Sequence, residues 1–155
     1  MTYHLYFDSR TAPDRLRDEM RARYGVEPDR VFVGRLEDIA AQGGSRPMVL
    51  ITSSDADGPF GWELSAGADL AALTGETELE LGRNVCRALQ TRALVDDGTA
   101  YPDYWFLIVR DGSYGRVMTD PDADDGELRI MHALEPITGE PDLPVVPPPA
   151  WAKDW

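Results

Sequence analysis

Apolar and polar side chains alternate at the start of the chain, with Tyr3, Leu5 and Phe7 on one side and His4, Tyr6 and Asp8 on the other. A period of two predicts a half-buried strand. The period then lengthens, because Ala12, Leu16, Met20 and Tyr24 recur every four residues up to Gly25. With Thr11 placed to cap and Pro13 and Asp14 in the first turn, this predicts a helix with one narrow inward face. On its outer face Asp14 pairs with Arg17, Asp18 with Arg21 and Glu19 with Arg23 at helical spacings. Such a surface neutralises itself and stays solvated.

Val31–Val33 is a short apolar run, Leu36 to Gln42 fits a short helix ended by Gly43 and Gly44, and Met48–Thr52 has the composition of a central strand. Asp55-Ala56-Asp57-Gly58-Pro59 supplies turn chemistry before Phe60, Trp62 and Leu64 alternate, which predicts a hairpin. Thr77 followed three residues later by Glu80 is a capping box, and Leu81, Val85, Leu89 and Ala93 form the buried stripe of a second helix, broken at Asp96-Asp97-Gly98. Tyr104 to Val109 and Tyr114 to Thr119 read as strands joined by the hairpin signal Asp111-Gly112, and Leu128, Ile130 and His132 alternate as a last strand. Six prolines between Pro136 and Trp155 favour an extended tail, within which Trp151 and Trp155 either pack on the body or stay free. The order of elements predicts an α+β fold: a mainly antiparallel sheet of about five to seven strands packed against two helices, in one domain over 1–135 with a tail over 136–155.

The 155 residues and 43% hydrophobic content suffice for one core. No charged start followed by an apolar run occurs near Met1, so neither a leader nor a membrane span is expected. Cys86 is the only cysteine, consistent with a reducing, cytoplasmic setting. The charge of −13 is unevenly placed. Residues 1–46 hold eight arginines and eight acids, whereas 47–155 hold seven basic and 20 acidic residues. From Pro47 to Gly82 there is no Lys or Arg, but Asp55, Asp57, Glu63, Asp69, Glu76, Glu78 and Glu80 occur. A field of that sign repels nucleic acid and anionic membrane and attracts basic partners.

Catalytic chemistry finds little support in the residues. The acidic run Asp120, Asp122, Asp124, Asp125 resembles a calcium loop only superficially, because its glycine, Gly126, comes one position late and Met131 occupies the closing glutamate position. Cys86 flanks a helical stripe as a small apolar residue would, and no local motif ties it to His4 or His132. No phosphate loop, HExxH or GxSxG is present, and no metal or cofactor is expected. An acid-lined cleft assembled by folding would leave no sequence trace, so a small enzyme stays among the alternatives.

Aromatic rings set among acids suit an interface that grips a basic surface, since rings supply buried area and charges supply steering. Trp62 beside Glu63, and Tyr101, Tyr104 and Trp105 beside Asp96, Asp97 and Asp103, have that composition, although each ring singly fits a core position. The candidate contact residues are Asp55, Asp57, Trp62, Glu63, Asp103, Tyr104, Asp120, Asp122, Asp124 and Asp125. In size, acidity, α+β pattern and absence of a catalytic signature, the chain resembles the small immunity proteins with which bacteria neutralise toxins in the cytoplasm. The resemblance implies a monomer or weak dimer that inhibits a basic toxin domain by binding it. A DNA mimic or regulatory binding protein is the alternative, and would need acids spaced like phosphates along one elongated face.

Overall fold

The computed structural model describes residues 2–44, 46–53 and 58–154. The strands are β1 (Tyr3–Phe7), β2 (Val31–Gly34), β3 (Val49–Ser53), β4 (Trp62–Ala66), β5 (Ala93–Asp96), β6 (Tyr104–Ile108), β7 (Tyr114–Thr119) and β8 (Ile130–Ala133). They form one sheet in the order β2-β3-β4-β1-β5-β6-β7-β8. The fold is α+β, but the sheet has eight strands rather than five to seven, and its β2–β3 pair is parallel while the other pairs are antiparallel. Three α-helices are present among the described residues: α1 (Pro13–Tyr24), α2 (Ala68–Thr74) and α3 (Glu78–Leu89).

Two local differences from the sequence pattern stand out, and the second explains the added strand. Thr11 does not cap α1; the N-cap position is Ala12 without a side-chain bond, and the Thr11 hydroxyl is instead buried against that of Thr91 at 2.6 Å. The helix predicted to reach Asp96 ends at Leu89, because Gln90 adopts a left-handed φ of 54°, and Ala93–Asp96 becomes a strand near the middle of the sheet. Thr77 and Glu80 do form the reciprocal capping box.

Alternation divides the core between the two faces of the sheet. Tyr3, Leu5 and Phe7 of β1 with Ala93 and Val95 of β5 meet Leu16 and Met20 of α1 and Leu81, Val85 and Cys86 of α3. Leu94, Leu107 and Val117 face the other way and pack with Phe60, Ala133 and Ile137, without any helix. Burying some 18 residues in the helix-covered cluster supplies most of the apolar stabilisation. The proline-rich segment has no strand of its own, yet Ile137 is buried, and Ala133 bonds Pro144 and Val146 across a parallel bridge centred on Val145. No helix of the described residues is long and apolar enough to cross a membrane.

Candidate functional site

The helix-free face carries the residues of β1 that point away from the core. His4 lies opposite Ser65 and Tyr6 opposite Glu63 on β4, while Leu94 flanks Tyr6 on β5 and Trp105 flanks Asp96 between β6 and β5. Where β1 begins and β5 ends, these strands leave a cleft of about 490 Å³ lined by His4, Tyr6, Glu78, Asp96 and Trp105, with Thr2 and Gly98 at its rim. Tyr6 and Trp105 meet edge to face, with centroids 5.7 Å apart, and both also pack on the helix-free core cluster. Glu78 reaches the cleft from the first turn of α3, and its Oε2 accepts a 2.6 Å hydrogen bond from the His4 backbone N–H. Asp96 is fixed by the Gly98 N–H, 2.6 Å from its Oδ1.

The cleft is electronegative, and no Lys or Arg lines it. Burial pushes the Glu78 carboxyl above its usual range, and Asp96 adds to the shift against the opposing bond from His4. Burial likewise raises the Tyr6 phenol, with Glu63 and Glu78 contributing, so its hydroxyl stays protonated and can donate. The Trp105 indole N–H is buried without an acceptor among the described residues. Two aromatic walls, two carboxylates and the Tyr6 hydroxyl have the chemistry to hold a cationic group.

Nucleophilic chemistry is not what the neighbouring polar groups are arranged for. Glu63 Oε1 lies 3.3 Å from His4 Nδ1 and accepts from Ser65 Oγ at 2.9 Å, while Ser65 Oγ is 3.5 Å from the same His4 nitrogen. A relay needs serine and acid on opposite nitrogens of the ring; here both crowd one, and the serine is bonded to the acid directly. Cys86 is buried on the helix-covered side, with its thiol pushed up by burial, and the sheet separates it from His4. No group of three His, Cys, Asp or Glu among the described residues could hold a metal ion.

The residues singled out from the sequence are distributed as follows. Trp62 packs partly buried on the helix-covered core, opposite to its neighbour Glu63, which borders the cleft. Tyr104 and Trp105 diverge by strand alternation. Tyr104 is 7% exposed and stacks on Tyr101 at 4.7 Å, and Tyr101 in turn meets Trp151 at 5.7 Å. Asp103 contributes its carbonyl to Thr119. Asp120 turns its carboxylate onto the Asp122 N–H, while Asp122, Asp124 and Asp125 are exposed. Asp55 and Asp57 lie outside the described residues, but the adjacent Gly58 is packed against Glu127, so the ends of the two acidic segments meet in space. Tyr6 was not singled out from the sequence, and Glu78 was named only as one of the acids between Pro47 and Gly82. The only signal for Tyr6 was an aromatic ring on the polar phase of an alternating strand.

The chain matches no known family model, no curated protein and no solved structure.

Proposed function

We propose that this chain is an acidic binding protein for a basic protein partner, of the immunity type, and that the partner docks on the helix-free face around the cleft. The observation that supports it is the union, in one hollow, of the Tyr6–Trp105 wall with the Glu78 and Asp96 carboxylates and no Lys or Arg. Charge half withdrawn from water raises the cost of the free state, and an incoming guanidinium or ammonium offsets that cost while stacking on the rings. The net charge of −13 and the exposed acids Asp122, Asp124 and Asp125 add long-range steering toward the same kind of partner.

The test is association with the protein encoded beside this chain, compared between wild type and the Glu78→Gln/Asp96→Asn pair. Both replacements keep an acceptor for the local hydrogen bonds. The complex should weaken by about tenfold or more. A missing complex, or one indifferent to the double replacement, removes the reading.

A further inference from the structure

At the opposite end of the same strands we infer a second site of the opposite sign: an oxyanion pocket for a phosphate group, formed by Arg10, Arg15 and Arg110. It is independent of the partner proposed above. Three connections converge there: the one leaving β1, the one between α3 and β5, and the turn after β6. The hollow between them is about 110 Å³, lined by these three arginines with Asp8 and Gln90 among its walls. That space is far below the several hundred cubic ångströms of sites for larger ligands and suits an ion of a few heavy atoms.

Three arginines and one carboxylate line the hollow, and that carboxylate is already occupied. Asp8 Oδ1 accepts from the Arg10 N–H at 2.9 Å and from Arg10 Nε at 3.1 Å, and Oδ2 accepts from Arg10 Nη2 at 3.1 Å and Arg92 Nη2 at 3.4 Å. Neither Arg15 nor Arg110 has a carboxylate within ion-pair distance among the described residues; on α1 the same holds for Arg21, which lies outside the hollow, whereas Arg17 and Arg23 each have one. With 28 acids in the chain, shortage of partners is not the reason.

The backbone that carries Arg110 is held from behind. Gln90 Nε2 donates to the Arg87 carbonyl at 2.8 Å and the Arg110 carbonyl at 3.2 Å, while Arg83 Nε donates to the Gly112 carbonyl at 2.8 Å. These bonds fix the turn that carries Arg110 to the end of α3. Asp8 fixes Arg10, and the Thr11–Thr91 hydroxyl pair joins the two remaining connections. α1 starts at this end without a side-chain cap, so its first turn adds partial positive charge. Planar guanidinium forks match the oxygens of a tetrahedral anion.

The experiment titrates the full chain with inorganic phosphate, and in a parallel arm with O-phosphoserine, at constant ionic strength balanced by chloride. Calorimetry and thermal unfolding are the readouts. A chain of this negative charge attracts no anion by its overall field, so saturable binding reports a local site. Binding in about the millimolar range is expected, with Arg15→Ala and Arg110→Ala each weakening it by about tenfold or more and Arg21→Ala leaving it unchanged. All three side chains are exposed, so the variants should stay folded, which circular dichroism checks. Equal affinity in the two arms identifies the free ion as ligand, and tighter phosphoserine binding identifies a phosphate ester. Stabilisation by phosphate no greater than by chloride, or titrations unaltered by Arg15→Ala and Arg110→Ala, overturns the site.

Discussion

Arg92 Nη2 stands 3.4 Å from Asp8 Oδ2, joining the residue after β1 to the residue before β5. The Arg92 Nη1 is also 3.4 Å from Glu140, and its guanidinium lies 5.6 Å from the centre of the Phe60 ring. One side chain thus ties two central strands, the C-terminal segment and the helix-free core together.

Arg92→Ala should therefore cost about 1–3 kcal/mol in urea unfolding, less than a fully buried pair because Arg10 still satisfies Asp8. Burial alone would raise the Asp8 carboxyl, but the Arg10 bonds, with Arg92, more than offset it and hold it below the ordinary 3.8. A lowered folded-state pKa means stability that is present above that ordinary value and is lost as pH falls through the lowered one. The Asp8→Asn variant should lack this acid-range loss. Identical stability profiles below pH 4 for Asp8→Asn and wild type would show that the pairing does not contribute.

Glu78 has the reverse sign. Its raised pKa means that it takes up a proton at higher pH than an ordinary glutamate at 4.5, so the cleft loses negative charge early on acidification. As pH falls toward 4.5, partner affinity should drop earlier in wild type than in Glu78→Gln, and the stability that protonated Glu78 adds should be present below 4.5 and lost as pH rises through its raised pKa. Parallel affinity profiles of the two proteins would detach Glu78 from recognition.

Gly82 lies mid-helix in α3, where alanine normally improves stability by about 1 kcal/mol. A Cβ there would stand 2.6 Å from Ile108 Cδ1 and 2.8 Å from Leu5 Cδ2, both in the closed core. Overpacking outweighs propensity, so Gly82→Ala should destabilise by about 1 kcal/mol. A higher melting temperature would mean that the core yields at this point.

A chain ending at Ala133 should fail to melt cooperatively, because it removes Ile137 and Leu143 from the helix-free core. A chain ending at Val146 should keep the fold and lose only a few degrees, since Trp151 is 58% exposed on its Tyr101 contact. Calorimetry separates the two, and a normal transition in the shorter chain would make the segment dispensable.

Local signals were legible where one residue type decides a conformation. The Thr77–Glu80 box, the two-residue period of β1 and the Asp111-Gly112 turn each correspond to an observed element, with Gly112 at φ 81°. β5 was hidden because Ala93 stands four residues after Leu89, in phase with the α3 stripe, and the break falls at Gln90, a residue whose type does not announce a left-handed turn. α2 is too short for its apolar period to stand out, and the parallel β2–β3 pairing depends on tertiary packing. Acids and aromatics were visible as composition. Their grouping was not, because Tyr6, Glu78 and Trp105 come together only when β1 inserts beside β5.

That insertion has a kinetic consequence. Both neighbours of β1, namely β4 and β5, lie about 60 and 90 residues downstream, so a growing chain exposes Tyr3, Leu5 and Phe7 long before any strand can flank them. Closing such loops makes the sheet a late, non-local event, with α1 and β2–β3 available earlier. Until β4 and β5 are made, β1 leaves three large apolar side chains without the neighbours that bury them in the fold.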